Sequence, residues 1–173
     1  MAKLPSLLQQ VPNIQHAICA DDITIWATKG SDGTIQDALQ EAVSVVQDYA
    51  AAGSLTCSVD KSELLVYKRR RKTADSPDIS LFLDGHPIPL VPRIRILGLY
   101  LQSDGKASYT THLLAQQITQ ITHMIQRITN RRRGLCEKNV LRLVQALIVS
   151  RLTYHLPFHN LRLAQIKKID ILL

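Results

Sequence analysis

Alternating hydrophobic and polar positions near the start of the chain predict a β-hairpin. In the segment Ile14–Cys19, Ile and His alternate with Gln, Ala and Cys, and Ile23–Thr28 is a second short stretch of strand-forming residues. Ala20-Asp21-Asp22 lies between them and is typical of a tight connection. A short helix over Leu4–Leu8, ending before Pro12, is expected to precede this hairpin.

A spacing of three and four residues between apolar positions predicts helices elsewhere. Capping residues indicate their ends, because Ser or Asp at an N-terminus and Gly at a C-terminus satisfy or accommodate backbone groups that the helix leaves unbonded. The predicted helices run from Ser31 or Asp32 to about Ala52, from Ser108 to the run Arg131-Arg132-Arg133-Gly134, through Val140–Ile148, and from near Leu161 to the end.

The remaining hydrophobic stretches predict short strands. Asp84-Gly85 is a two-residue hairpin signal between two of them, and Gly98 inside another is expected to mark a bulge or a close approach of another backbone. An α+β fold is therefore expected, with an α+β part at residues 1–104 and a helical part at residues 105–173. The predicted strands are Leu55–Val59, Glu63–Tyr67, Ile79–Leu83, His86–Ile88 and Arg93–Leu101.

The composition argues against several classes of protein. The chain has 173 residues, of which 46% are hydrophobic, so it can bury a core and is too apolar for wholesale disorder. It has no run of about 18 apolar residues that would predict a membrane span, and its first residues are too polar for a secretory signal. Cys19, Cys57 and Cys136 are odd in number and far apart, so neither a disulfide framework nor a zinc knuckle is expected. An intracellular protein of the nucleus and/or cytoplasm is the resulting expectation.

Charge is distributed unevenly along the chain. Residues 1–67 hold three Lys/Arg and eight Asp/Glu, a net charge of −5, whereas residues 68–173 hold eighteen and six, a net charge of +12. Acidic groups that hold cations, together with basic groups that hold phosphates, are typical of proteins that handle polyanions. A basic, solvated surface without such a partner is the alternative.

Asp21 and Asp22 are the first candidates for chemistry. The predicted hairpin would present these two adjacent carboxylates at its tip, beside apolar residues. Two like charges so close together favour a bound cation, and oxygen-only ligands favour Mg²⁺ or Mn²⁺. Such ions can polarise a phosphate and activate a hydroxyl. The alternative is an exposed acidic turn that binds nothing.

Three motifs, in order along the chain, resemble a known family. Ile18–Trp26 resembles the (Tyr/Phe)-Ala-Asp-Asp hairpin of reverse transcriptases, particularly those of non-LTR retrotransposons. The segment from Gly53-Ser54-Leu55 to Asp60-Lys61-Ser62-Glu63 is similar to the glycine-leucine and lysine-serine-glutamate segment of that family. Arg95–Leu101 is similar to its leucine-glycine strand, the primer-grip region, and the helices from Ser108 onward resemble its thumb and connection.

The resemblance implies a partial polymerase palm (an antiparallel sheet with a packed helix) followed by a helical thumb. It implies metal-dependent nucleotidyl transfer with an RNA template, a DNA primer, a dNTP and Mg²⁺ or Mn²⁺. Asp21 and Asp22 would bind the metal ions, Lys61 would assist the leaving pyrophosphate, and Gly98 would lie in the strand that positions the primer. Cys19 stands where the family usually has an aromatic residue near the primer end, and no membrane partner is expected.

Basic clusters form the next group of candidates. Lys68–Lys72 is interpreted as a phosphate-binding segment, a nuclear localisation signal or a solvated loop. Arg127, Arg131, Arg132 and Arg133 lie at a predicted helix C-terminus, where the helix dipole already favours cations. In a thumb, these arginines would contact the template–primer backbone without sequence preference.

The remaining polar and aromatic residues favour ordinary structural roles. Lys61 has an alternative as a surface lysine at a turn. His155 and His159 lie four residues apart with Pro157 between them and no Cys or acid to complete a zinc set, so packing or surface roles are expected. Trp26 is expected in the strand core.

No Asp or Glu precedes Asp21 in the sequence. A two-metal centre needs a further carboxylate from another strand, and the fingers of the family have no counterpart before Ile18. We therefore expect a fragment of a retrotransposon reverse transcriptase that is inactive alone, and whether the chain is itself an enzyme stays open. A non-catalytic, basic nucleic-acid-binding remnant is the alternative from a different functional class.

Overall fold

Helices and two-stranded sheets follow one another in the computed structural model, which describes residues 3–67, 79–129, 134–159 and 161–170. This mixture agrees with the predicted α+β class. The helices are α1 Leu4–Leu8, α2 Asp32–Ala52, α3 Ser108–Ile128, α4 Glu137–Val144, α5 Ser150–His155 and α6 Leu163–Asp170. The strands are β1 Ile14–Cys19, β2 Asp22–Ala27, β3 Phe82–Leu83, β4 His86–Pro87, β5 Arg93–Ile96 and β6 Leu99–Gln102.

Helix α2 forms where the apolar periodicity predicts it. The Ser31 hydroxyl accepts a hydrogen bond from the Thr34 backbone N–H at 3.3 Å, which satisfies one donor of the first turn. The helix ends at Gly53, whose N–H donates to the Ala50 carbonyl at 3.0 Å. One face is buried along the length of the helix, at Ala38, Leu39, Ala42 and Val46.

The first hydrophobic core lies between α1, α2 and the hairpin of β1 and β2. The two strands pair antiparallel from Ile14 opposite Ala27 to Cys19 opposite Asp22. Burial alternates along β1 as the sequence predicts, so its isoleucines face inward. Each fully buried Leu contributes on the order of 1.5–3 kcal/mol. The buried residues are Leu4, Leu8, Val11, Ala42 and Val46, and Ile14, Ile18, Ile23 and Ile25 pack against them.

A second core lies on another stretch of α2, beside the residues that precede β3 and follow β4. These strands form the predicted hairpin at Asp84-Gly85, where both residues have positive φ, 51° and 75°. The Gln40 side-chain amide fixes β3 to α2, since it accepts from the Phe82 N–H at 2.8 Å and donates to the Phe82 carbonyl at 2.9 Å. The buried members of this core are Leu39, Leu64, Ile79 and Leu81.

Two predicted strands between α2 and β3 are wrong. Leu55–Val59 is not a strand, because the Leu55 N–H bonds to the Ala50 carbonyl at 2.8 Å and so belongs to the end of α2. Val59–Lys61 instead forms one turn of 3-10 helix. Glu63–Tyr67 contributes only an isolated parallel bridge between Leu64 and Leu90.

The predicted strand Arg93–Leu101 is two strands joined by a sharp turn. Leu97 and Gly98 have φ of 48° and 87°, so two consecutive residues are left-handed and the chain reverses. Gly98 therefore marks a hairpin turn between β5 and β6, and the predicted bulge is wrong.

The helical part has a separate core. Helix α3 buries Leu114, Ile118 and Ile125 along one face, as the spacing of its apolar residues predicts. Helices α4 and α5 are continuous through a π-helical turn at Gln145–Val149. The core consists of Leu114, Ile118, Ile148, Leu152 and Ile169.

The chain divides into two compact units: the first contains the two cores on α2, and the second contains the core of the helical part. One comprises residues 1–66 and 70–94, and the other comprises residues 67–69 and 95–173. The assignment of palm and thumb, and the boundary expected near Gly105, stay predictions. Within the described ranges, no helix combines the length and hydrophobicity that crossing a bilayer requires.

Candidate functional site

Asp21 and Asp22 occupy different positions in one tight hairpin. Cys19 pairs with Asp22, so Ala20 and Asp21 alone form the turn. Ala20 has a φ of 55°, a left-handed conformation that non-glycine residues adopt infrequently. Asp21 therefore lies at the tip and Asp22 begins β2, with both side chains exposed.

The hairpin has an inner face against the core and an outer face that the core leaves exposed. Cross-strand partners lie on the same face, and the register therefore places Cys19 beside Asp22, both of them exposed. Trp26 lies on this outer face with 38% of its surface exposed, and its indole N–H donates to Gln15 Oε1 at 2.7 Å. The prediction that Trp26 lies in the strand core is wrong. Consecutive residues of a strand face opposite sides of the sheet, so Ile25 faces the core and Trp26 faces away from it.

The donor set at the tip fits part of a metal site. Carboxylate oxygens are the hard ligands that Mg²⁺ and Mn²⁺ prefer, and Mg²⁺ commonly keeps several waters. Two carboxylates could therefore hold one hydrated ion. In the part of the chain that the structure describes, no group of three or more His, Cys, Asp or Glu side chains gathers around a common point. A two-ion centre is not assembled from these residues.

Lys61 lies in the same unit as Asp21 and Asp22, at the end of the 3-10 turn. Its side chain is exposed and forms no ion pair with another described residue. The turn is held from within, by the Ser62 N–H to the Val59 carbonyl at 3.1 Å and the Ser62 hydroxyl to the Ser58 carbonyl at 2.8 Å. The role of Lys61 in protonating a leaving group stays a prediction.

Gly98 lies at the turn between β5 and β6, which we call the 97–98 turn after Leu97 and Gly98. The Tyr154 hydroxyl of α5 donates to the Leu97 carbonyl at 2.5 Å. A Cβ atom on Gly98 would lie 3.9 Å from Tyr154 Cε1, so the ring borders the turn. Leu97 is 54% exposed, and its backbone lies in the left-handed region with a φ of 48°. An L-residue with a Cβ is disfavoured there by roughly 1–2 kcal/mol.

The structure describes only one of the four arginines that the resemblance assigns to a thumb. Arg127 is exposed in the last turn of α3, where the helix dipole favours a cation. Arg131, Arg132 and Arg133 lie outside the described residues, as does the basic run Lys68–Lys72. Their proposed contact with nucleic acid therefore stays a prediction.

An open groove in the second unit was not predicted from the sequence. Its volume is about 430 Å³, and Ala146, Leu147, Ser150, Arg151, Tyr154 and His155 line it. Arg151 Nη1 donates to Gln117 Oε1 at 3.0 Å, and His155 Nδ1 donates to the Arg151 carbonyl at 2.8 Å. The sequence does contain a pattern that predicts part of this lining. Arg151, Tyr154 and His155 are spaced i, i+3 and i+4, so in a helix they lie on one face.

Comparisons of the chain with protein-family models, curated proteins and solved structures find no match. The likeness to reverse transcriptases therefore rests on the three ordered motifs of the sequence. The structure adds one observation to these motifs: Asp21 and Asp22 lie in a tight hairpin between β1 and β2.

Proposed function

We propose that this chain carries the C-terminal part of a polymerase palm and the thumb of a reverse transcriptase of the non-LTR retrotransposon type. It would act on an RNA template, a DNA primer and a dNTP. One observation supports this most: Asp21 and Asp22 lie at the tip of a tight hairpin whose inner face packs on α2. The inner face of the hairpin is partly buried against the first core, which fixes the hairpin, so the carboxylates at its tip are presented by a packed element.

The proposed chemistry is nucleotidyl transfer assisted by Mg²⁺ or Mn²⁺. When bound, such an ion polarises the reacting phosphate and lowers the pKa of a coordinated hydroxyl. Asp21 and Asp22 would hold the ion, and the Lys61 ammonium would donate a proton to the leaving pyrophosphate. Cys19, on the same outer face as Asp22, would border the primer end.

The reaction needs a third carboxylate, which we propose another polypeptide segment supplies. In the described residues, β1 and β2 form a sheet of two strands only. Each strand therefore has an outer edge with backbone groups that a further strand could bond. A segment that pairs at this edge could bring an Asp close to Asp21 and Asp22.

Primer extension in two parts tests the proposal. The chain is mixed with a second polypeptide that carries the fingers and upstream palm of a non-LTR reverse transcriptase, and dNTP incorporation on an RNA template is measured with Mg²⁺ or Mn²⁺. The chain alone should give no extension, because the ligand set is incomplete. The mixture should extend the primer, and Asp21→Asn or Asp22→Asn should reduce extension at least a hundredfold.

Asp48→Asn is the matched control, since it removes one exposed carboxylate from α2. It should leave extension unchanged. Extension that survives Asp21→Asn would contradict the metal-binding role, and so would an equal loss with Asp48→Asn. Extension by the chain alone would show that a third carboxylate is not required from outside.

A second candidate is a non-catalytic nucleic-acid-binding protein. The net charge of +12 over residues 68–173 favours it, because cationic side chains neutralise phosphates whatever the base sequence. Binding of RNA–DNA duplex with no extension in the mixed assay would favour this second candidate.

A further inference from the structure

An exposed apolar patch lies where helix α3 ends. Met124 and Ile128 are four residues apart in α3, so their side chains lie on one helix face. The Leu135 N–H donates to the Ile128 carbonyl at 3.2 Å, which brings Leu135 beside them. The three side chains are 48%, 42% and 41% exposed. Adjacent exposed apolar side chains are typical of a surface that binds a partner, and we call these three residues the apolar patch.

Arg127 and Lys138 border the apolar patch. Arg127 is three residues from Met124 on α3, and Lys138 is three residues from Leu135 at the start of α4. Both side chains are exposed, and neither forms an ion pair with another residue that the structure describes. The phosphates of a nucleic acid would neutralise these cations but would not cover the apolar side chains. A protein surface with an apolar anchor beside carboxylates would do both.

The first compact unit carries a surface of this kind on β3 and α2. Phe82 is 48% exposed, and its backbone N–H and carbonyl are both bonded to the Gln40 side chain of α2. Asp37 and Glu41 lie on α2 within one helical turn of Gln40. Both carboxylates are exposed and have no ion-pair partner among the described residues. We call Asp37, Glu41 and Phe82 the acidic face.

The acidic face and the apolar patch are complementary in their chemistry. A phenyl ring such as that of Phe82 packs well against aliphatic side chains and against a methionine sulfur. The carboxylates of the acidic face match the cations that border the patch. The net charges of −5 over residues 1–67 and +12 over residues 68–173 have the same polarity. Contact between unlike surfaces therefore brings opposite charges together, whereas contact between two identical patches would oppose like charges.

We propose that the acidic face of one copy of this chain docks on the apolar patch of a second copy, with Phe82 as the anchor. Aromatic anchors contribute much of the binding energy in protein interfaces, and charges at the rim select the partner. The contact is head to tail, so each copy keeps one face for a further copy, and rings or longer chains of copies result. This association does not depend on the proposed function, because no candidate catalytic residue takes part in it.

Sedimentation of the full chain, freed of nucleic acid by nuclease, measures the association over a wide range of protein concentration. The original chain should associate as its concentration rises. Arg127→Glu and Glu41→Arg should each weaken association about tenfold, because attraction between the two faces becomes repulsion. Phe82→Ala should weaken it by a similar factor, because the anchor is lost. Arg162→Glu is the matched control, since it reverses an exposed cation outside the patch, and it should leave association unchanged.

Mixing the two charge variants separates contact between copies from contact within one chain. The Arg127→Glu chain has a carboxylate at its patch, and the Glu41→Arg chain has a cation at its acidic face, so these two altered surfaces attract each other. The intact acidic face of the first variant likewise matches the intact patch of the second. The mixture should therefore associate at concentrations at which each variant alone stays monomeric. Mixing would not restore a contact that forms within a single chain.

Four outcomes would overturn the docking of one copy on another, and each would leave the proposed function untouched. The first is an original chain that stays monomeric at every concentration. The second is association that survives both single charge variants, and the third is equal weakening by Arg162→Glu, which would show that net charge alone is responsible. The fourth is a mixture that fails to associate. Association that requires added RNA or DNA would assign the cations to nucleic acid and would overturn the docking as well.

Discussion

His159 occupies a place where a positive charge is costly. Its Nε2 atom is buried and has no hydrogen-bond partner among the residues that the structure describes, although the ring as a whole is half-buried. Burial, and secondarily the charge of His155, lower the pKa of His159 below its ordinary value of 6.5. The folded protein therefore favours neutral His159.

This shift predicts a loss of stability on acidification. Below about pH 6.5 the unfolded chain takes up a proton at residue 159 that the folded chain resists, so the free energy of unfolding falls as the pH falls. Above pH 6.5 this residue adds no pH dependence. In urea unfolding, His159→Gln should reduce the fall in the free energy of unfolding between pH 7 and pH 5. His112→Gln, at an exposed histidine, is the control and should leave that fall unchanged. An unchanged slope with His159→Gln would contradict the assignment.

The three cysteines differ in environment, and so should differ in reactivity. Cys19 and Cys136 are exposed, whereas Cys57 packs against the first core. Burial, together with the charge of Asp84, raises the pKa of the Cys57 thiol above its ordinary value of 9.0. The thiolate is the reactive form.

Alkylation by iodoacetamide at pH 8 should therefore be slowest at Cys57. We expect Cys19 and Cys136 to react at least several times faster in the folded chain, as measured by peptide mass spectrometry over time. In urea the three rates should converge, because the burial is lost. A Cys57 rate equal to that of Cys19 in the folded chain would show that residue 57 is accessible.

At the scale of the element, α2 supports the hairpin that carries the candidate metal ligands. Ser31→Ala should lower the free energy of unfolding by about 1 kcal/mol, because the Thr34 N–H loses its acceptor. Ser44→Ala is the control: its hydroxyl donates to the Gln40 carbonyl inside the helix, so its loss should cost little. Urea denaturation measures both. Equal losses in the two variants would contradict a capping role for Ser31.

The predicted elements agree with the structure where the hydrogen bonds of an element join residues close together in the chain. The apolar spacing and the caps of α2 lie within the helix itself, and Asp84-Gly85 determines its turn from two residues. The prediction of a strand at Leu55–Val59 failed because the Leu55 N–H bonds to a carbonyl of α2. The pattern of residues in Leu55–Val59 carries no information about this bond to the preceding helix.

At the scale of the whole molecule, the charge distribution predicts salt-dependent binding of nucleic acid. Affinity for single strands should fall with rising salt at a logarithmic slope of about −0.7 for each neutralised phosphate. Replacing Arg131, Arg132 and Arg133 together by Ala should flatten this slope by up to about two units.

Fluorescence anisotropy with labelled single-stranded RNA at several salt concentrations measures this slope. Lys29→Ala is the control, because it lies in the acidic first part of the chain, and it should leave the slope within error. A slope unchanged by the triple replacement would remove these arginines from the proposed nucleic-acid interface.

By itself, the sequence determined the α+β class, the long helices and the hairpin at Asp21. These features depend on residue spacing, caps and turn residues that are near one another in the chain. It also identified Asp21 and Asp22 as adjacent carboxylates at a hairpin, although their role stays a prediction.

Only the tertiary structure decided how distant residues meet. The outward position of Trp26 depends on the pairing register, and the 97–98 turn depends on a hydroxyl 57 residues away. No local pattern contains such contacts, because their free energy arises only when segments that are remote in the chain pack together.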